Sequence, residues 1–290
     1  MREVDREKNS YAKIDGLPVD ICIFTVTTEQ RIITDPTIDK RTLKSYPKRS
    51  LQVLLVQRRQ DPFRHQWALP GGFTHLDWES LDEAARRELK EETNLDAFAR
   101  IDNNLSGIYL EQMRAYYQPD RDPRGKIPTV AYVAIVHEKH LINLQAGGDA
   151  RQARLFHVRT TDQGEIHYET EDHKIIASDL AFDHGQILLD ALHFVQNKMI
   201  TTTIASTLLP EAFTIAELYQ VIATVVPSFT PTSTNFARDL VKTKSRDGLL
   251  EEVTDEKGNR KKTSQFSSRP AQLYKFRADF EPRISVYPRV

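Results

Sequence analysis

The chain has 290 residues, 39% of them hydrophobic and 28% charged, with a formal net charge of −1. That length suggests two domains, and the composition is that of a globular protein rather than a disordered or fibrous one. The longest apolar runs, such as ICIF (21–24) and VAIV (133–136), are far too short to cross a bilayer, so no membrane association is expected.

The opening residues, MREVDREKNS, are charged and lack the apolar core of a signal peptide. A cytoplasmic location is the expectation. The single cysteine, Cys22, lies in an apolar run and reads as a buried thiol, with no internal disulfide to form.

In chain order, PVDICIFTV (18–26) reads as a buried, β-branched strand and 27–49 as a long polar loop. SLQVLLVQR (50–58) is a second strand. A Gly-Gly loop at 71–72 leads into a Glu-rich helix over about 80–93, opened by a Ser80-x-x-Glu83 capping box. LSGIYLEQM (105–113), TVAYVAIV (129–136) and ARLFHV (153–158) read as further strands. Residues 180–199 have helical periodicity, with Ile187, Leu188, Ala191, Leu192 and Val195 on one stripe. Mixed strands and helices over 1–200 predict an α/β sandwich.

Residues 201–290 follow a different pattern. A second capping box, Thr214-x-x-Glu217, opens a helix to about 226, and another helix runs over 233–243 with Phe236, Leu240 and Val241 as its apolar stripe. LLEEV (249–253), a basic turn at 255–262 and QLYKFR (272–277) read as a hairpin. Helix, turn, helix and basic hairpin is the order of a winged helix-turn-helix. This segment carries 13 Lys and Arg against 10 Asp and Glu, and every basic residue lies beyond position 237. Such a gradient fits contact with nucleic acid.

In a winged helix the second helix enters the major groove by its N-terminal end. Thr232, Ser233, Thr234 and Asn235 occupy that end, with Arg238 and Lys242 one and two turns on. Lys257, Arg260, Lys261 and Lys262 at the wing tip, and Arg269 beyond it, are placed for backbone phosphates. The competing reading is a capping or dimerisation domain with a solvated, charged hairpin.

The Glu-rich helix can be phased. At roughly 100° per residue, Glu88 and Glu92 continue the inward stripe of Leu81, Ala85 and Leu89, while Lys90, Glu83 and Arg86 fall opposite. Glu88 stands i,i+3 to Glu91 and i,i+4 to Glu92, so the three carboxylates converge. Converging carboxylates repel unless a cation compensates them, and Mg²⁺ or Mn²⁺ is the hard ion that suits oxygen ligands. Arg87, four residues before Glu91, is placed to orient it. Gly71 and Gly72 let backbone approach a ligand closely.

Glu79, seven residues, then Arg87-Glu88-Leu89-Lys90-Glu91-Glu92 resembles the Nudix box. The resemblance implies a Nudix α/β/α sandwich around a mixed sheet for the segment read as 1–200; the segment 201–290 is read as a winged helix from its own element order. It implies a substrate or ligand built as a nucleoside diphosphate linked to another group, and Glu88, Glu91 and Glu92 as metal ligands. Two positions depart from the box: six residues rather than five separate Gly72 from Glu79, and Asn94 stands in place of glycine.

Together with PDRDPRG (119–125), LAFDH (180–184), STNFARDL and SRPAQLYKF, the chain resembles the Nudix-related transcriptional regulators of NAD metabolism, the NrtR family. That resemblance implies a homodimeric repressor on a pseudo-palindromic double-stranded DNA operator, with ADP-ribose or a related nucleotide as effector. Hydrolysis, carried by Glu88, Glu91, Glu92 and Arg87, would then be a remnant. For such a ligand, Arg58 and Arg59 are placed to meet a pyrophosphate and Tyr109 and Phe182 to stack on adenine. His184 is either a ligand contact or a structural histidine. The alternative function is a Mg²⁺-dependent ADP-ribose pyrophosphatase with an accessory C-terminal domain.

Overall fold

The computed structural model describes residues 16–28, 46–75, 77–93, 108–141, 150–161, 163–242, 249–266 and 269–277. Most of the polar stretch read as a loop over 27–49 lies outside them, as do Asn94 and the tail after 277.

One mixed sheet organises the first two hundred residues. Its strands are β1 (Pro18–Thr28), β2 (Arg49–Arg58), β3 (Trp67–Ala68), β4 (Gly71–Phe73), β5 (Ile108–Tyr116), β6 (Thr129–Val136), β7 (Ala150–Thr160), β8 (Ile166–Glu169) and β9 (Lys174–Ile176). The order across the sheet is β5-β6-β1-β2-β7-β8-β9, with β3 on β2 and β4 on β1. β1 runs parallel to β6 and antiparallel to β2 and β4.

Both faces of the central strands are covered, which explains why β1, β2 and β6 read as near-continuous apolar runs. On one face Val19, Ile21, Ile23, Leu54, Tyr132 and Ala134 pack with Ala84, Ala85 and Leu89 of α1 (Leu81–Thr93). On the other, Cys22, Phe24, Val53, Leu55, Val133 and Ile135 pack with Ile187, Leu188, Ala191, Leu192 and Val195 of α2 (His184–Thr201). The result is the expected α/β/α sandwich.

Both capping boxes form. The Ser80 amide and hydroxyl each donate to Glu83 Oε2 at 2.8 Å, and the Thr214 amide donates to Glu217 Oε2 at 2.8 Å. The helix expected from 180 begins instead at His184. Leu180 bridges Trp67, the Ala181 amide donates to the Trp67 carbonyl at 2.8 Å, and Phe182 takes a left-handed φ of 54°. Those three residues are spent on joining α2 to the sheet edge and cannot also be helical.

Gly185 makes that join tight: a Cβ there would lie 2.0 Å from the Ala177 carbonyl oxygen. Alanine gains about 1 kcal/mol over glycine inside a helix, but forcing atoms into packed backbone costs about 1–3 kcal/mol. Gly185→Ala is expected to lower the thermal midpoint, and a rise would contradict the packing described.

The C-terminal unit comprises α3 (Ile215–Val225), α4 (Ser233–Lys242), β10 (Leu250–Glu252), β11 (Lys262–Thr263), β12 (Ala271–Gln272) and β13 (Tyr274–Phe276). LLEEV and QLYKFR do pair, through β10 and β13, but they do not form a simple hairpin. The chain turns at 255–259, returns through β11, and β11 pairs with β12. The Asp255 carboxylate holds the turn by accepting from the amides of Lys257 and Asn259.

No linker separates this unit from the sandwich. α3 packs on α2 and on β2, on the α2 side of the sheet, and the apolar cluster that contains Cys22 and Phe24 continues through Leu218, Val221, Phe236 and Phe276.

Candidate functional site: a cleft beside the Glu-rich helix

Arg87 is the centre of the Nudix-box cluster. Its Nε and Nη2 donate to the two oxygens of Glu79 at 2.8 and 3.1 Å, its Nη1 to Glu88 Oε1 at 2.6 Å, and its Nη2 also to the Phe73 carbonyl at 3.0 Å. Glu91, the residue Arg87 was expected to orient, is the distant member at 3.5 Å and is exposed. The reason is geometric: the half-buried guanidinium faces the buried carboxylates of Glu79 and Glu88, whereas Glu91 points to solvent.

The extra residue before Glu79 is absorbed locally. The amides of Trp78 and Glu79 both donate to the His75 carbonyl, the His75 amide returns a bond to Glu79 Oε2, and the His75 and Trp78 rings stack 4.7 Å apart. The longer loop therefore leaves the Glu79–Arg87 pair intact.

Glu88 is buried, as its helical phase requires. Burial pushes its carboxyl above the usual value, against the opposing hydrogen bond and charge of Arg87. Its Oε1 is already paired with Arg87, so a cation at this carboxylate would share it with the guanidinium. Glu91 is a second available oxygen donor. The side chain of Glu92 lies outside the described residues, and among the described residues no three His, Cys, Asp or Glu side chains gather tightly enough to hold a metal ion.

Gly72 joins this cluster to a cleft. A Cβ on Gly72 would fall 2.1 Å from Glu88 Oε1, so glycine is required there by the protein's own carboxylate. The cleft on the other side is lined by Gly71 and Gly72, Arg58, Phe182, His184, and also Asp20, Phe73, Arg121, Asp122 and Arg124. Five of the seven sequence-predicted ligand residues thus converge. Arg59 is exposed at the end of β2 and does not line the cleft. Tyr109 lies on the edge strand β5, where its hydroxyl bonds Glu111, which in turn pairs with Lys198 at 2.8 Å.

Sequence reasoning missed Arg121, Arg124, Asp20 and Asp122. Arg121 is buried; its Nη2 lies 2.8 Å from Asp183 Oδ1 and 3.4 Å from Asp20 Oδ2, and its Nη1 donates to the Ile127 carbonyl. His184 Nδ1 accepts from the Leu69 amide at 2.9 Å, leaving Nε2 to donate to Asp20 Oδ1 at 3.3 Å. Both readings of His184 hold at once: it is a buried clamp, and it forms part of the cleft wall. Burial raises the Asp20 carboxyl, but contact with His184 and the charge of Arg121 outweigh it and hold Asp20 below the ordinary aspartate value.

At the mouth, the Arg58 guanidinium lies 4.7 Å and that of Arg124 5.8 Å from the Phe182 ring centre, and Arg124 also lies 5.5 Å from Phe73. PDRDPRG, with its two arginines set among aspartates, was the signal in the sequence.

On the C-terminal unit, Thr232, Ser233, Thr234, Asn235 and Arg238 are all exposed along the start of α4, and the Thr232 hydroxyl caps the helix by accepting from the Asn235 amide. The Lys242 side chain lies outside the described residues. Lys257, Lys261, Lys262 and Arg269 are exposed. Arg260 is paired with Glu252 at 2.7 Å, a surface pair worth about 0–1 kcal/mol and readily exchanged.

Residues 47–177 match the NUDIX domain family, and residues 201–285 match the AraR C-terminal winged HTH domain. Fold and site thus define a Nudix sandwich carrying a winged helix-turn-helix. Over 244 residues the chain is 31% identical to the ADPR responsive transcriptional repressor NtrR of Acinetobacter baylyi, covering 82% of each. The chain belongs to the NrtR family of Nudix-related transcriptional regulators.

It is also 29% identical, over 59% of its length and 92% of the other, to an ADP-ribose pyrophosphatase of Methanocaldococcus jannaschii. The crystal structure of a MutT/nudix family protein from Enterococcus faecalis superposes with a TM-score of 0.64 at 29% identity, covering 92% of this chain and 88% of that one.

Proposed function

We propose that this chain is a transcriptional repressor whose grip on operator DNA responds to ADP-ribose, and that its targets are genes of NAD biosynthesis or salvage. Residues 1–200 sense the ligand and 201–290 read the DNA. The observation that carries the reading is α2. Its first residue, His184, lines the cleft, and its far half packs against α3, where Gln196 Nε2 donates to the Val225 carbonyl at 3.3 Å. One rigid element therefore touches both the ligand cleft and the helix-turn-helix.

Arg58 and Arg124 provide the charge for a diphosphate, and Phe182 and Phe73 provide apolar rings beside it. The cleft measures about 140 Å³, below the roughly 300–1,000 Å³ of sites that enclose a drug-sized ligand. Displacement of the arginine–phenylalanine stack on entry of a nucleotide would make bound and free forms differ. That difference is what allosteric coupling needs. Glu88, Glu91 and Glu92 would hold a divalent ion, which when bound neutralises ligand phosphate charge. A homodimer working in the cytoplasm on a pseudo-palindromic site completes the proposal. Among the described residues no helix is long and apolar enough to cross a membrane.

The test is a gel-shift with the region upstream of NAD-salvage genes, with and without ADP-ribose. The expected result is sequence-selective binding at moderate salt with an affinity that changes on adding ligand, in line with a coupling of about 1–3 kcal/mol. Unchanged affinity would sink the proposal.

The intact Glu79–Arg87 pair favours a second reading, ADP-ribose hydrolysis. Turnover at ordinary enzyme rates (about 1–10³ per second), seen as Mg²⁺-dependent AMP release and abolished by Glu92→Gln, would support that reading. Its absence would leave a sensor.

A further inference from the structure

A second polar groove lies away from the cleft, where the start of β2 meets α3. Tyr46, Lys48 and Arg49 line one side, and Tyr219, Gln220 and Thr224 the other. Among the described residues, two of these side chains carry buried atoms with no hydrogen-bond partner: the donor Arg49 Nε and the acceptor Gln220 Oε1. Leaving such groups unpaired costs about 1–3 kcal/mol each, so a pair of them in one groove calls for a bridging group.

The neighbouring carboxylates do not fill that role. Glu138 is committed to the amide and hydroxyl of Thr28 at 2.8 and 2.9 Å, and Glu217 to its capping box with Thr214. Among the described residues Arg49 makes no ion pair. Burial pulls its ionisation down, and Glu217 and Glu138 act on it only through their charge.

We propose that this groove is a binding site for a small oxyanion that also carries an O–H, such as hydrogen phosphate or a phosphomonoester. The oxyanion accepts from the Arg49 guanidinium, whose planar fork suits phosphate, and its hydroxyl donates to Gln220. Arg49 belongs to the sensor sheet and Gln220 to the first helix of the helix-turn-helix, so the bound ion ties the two units together. It supplies the regulator with a second input, separate from the nucleotide cleft and independent of what that cleft binds.

The experiment uses the full chain and inorganic phosphate exchanged for chloride at constant ionic strength, read by thermal midpoint and by operator affinity. The expected result is a midpoint that rises with phosphate along the saturation curve of a single bound ligand, accompanied by a severalfold change in operator affinity. Arg49→Gln, which breaks no ion pair among the described residues, should fold and lose both responses. Gln220→Glu should be stabilised without phosphate, because its new carboxylate answers Arg49, and should respond to none.

Arg124→Gln cripples the nucleotide cleft and should keep the response. If phosphate acts no differently from chloride, the groove holds only water and the proposal fails. If Arg124→Gln abolishes the response while Arg49→Gln retains it, phosphate binds the nucleotide cleft instead; this proposal then fails, and the ADP-ribose reading stands.

Discussion

Arg121→Met is expected to destabilise the protein by about 3–5 kcal/mol, the usual cost of removing one partner from a buried ion cluster. The guanidinium has only 3% of its side-chain surface exposed and stands between Asp20 and Asp183. Methionine fills much of the volume but leaves two carboxylates facing each other near the cleft.

The contrast is Arg154→Met. Arg154 also contacts a carboxylate closely, at 2.6 Å from Asp172, but both side chains are exposed, and the expected loss is at most about 1 kcal/mol. Denaturant midpoints of the two variants decide the matter; equal losses would mean that burial is not what gives Arg121 its weight. The pH profile adds a second reading. Asp20 is held below its ordinary value when folded, so its contribution is present above the unfolded aspartate value of about 3.9 and disappears as pH falls through the folded value. Losing Arg121 weakens that depression, and acid unfolding should begin at higher pH in the variant than in the native chain.

Replacing Lys261 and Lys262 together by alanine should weaken DNA binding on operator and unrelated sequences alike. Each phosphate contact contributes about 0.9 to the slope of log affinity against log salt. The double variant should lose close to 2 from that slope and bind roughly thirtyfold less tightly at about 0.15 M salt by the same relation. Both lysines are exposed, and among the described residues neither is tied into an ion pair. Arg260 is deliberately left in place because its pair with Glu252 would mix a structural loss with an electrostatic one. A salt slope equal to that of the native chain would remove the wing from the interface.

Much of this architecture was legible because periodicity carries it. The phase of Glu88 against Leu81, Ala85 and Leu89 placed that carboxylate on the buried side, and there it lies. Both capping boxes announced their helices. The cleft was half legible. Gly71, Gly72, Arg58, Phe182 and His184 sit beside strand ends and helix starts that the sequence pattern locates. Arg121, Asp122 and Arg124 come from a turn with no periodic signal, and Asp20 is hidden inside an apolar strand. Only tertiary contact makes them a site. The short strands β3 and β4, and β8 and β9, were unreadable because two to four residues carry too little pattern to separate strand from loop.

The apolar cluster that runs without a break from Cys22 to Phe276 limits how modular this regulator can be. Its reading head is not a cartridge hung on a tether. Leu218, Val221, Ile222 and Val225 give α3 a greasy underside that exists to be covered by the sandwich, and α2 offers the matching surface. A chimera that grafts a foreign winged helix after residue 200 inherits the DNA contacts of the donor but not this seam. It would work only if those four positions of α3 were transplanted back.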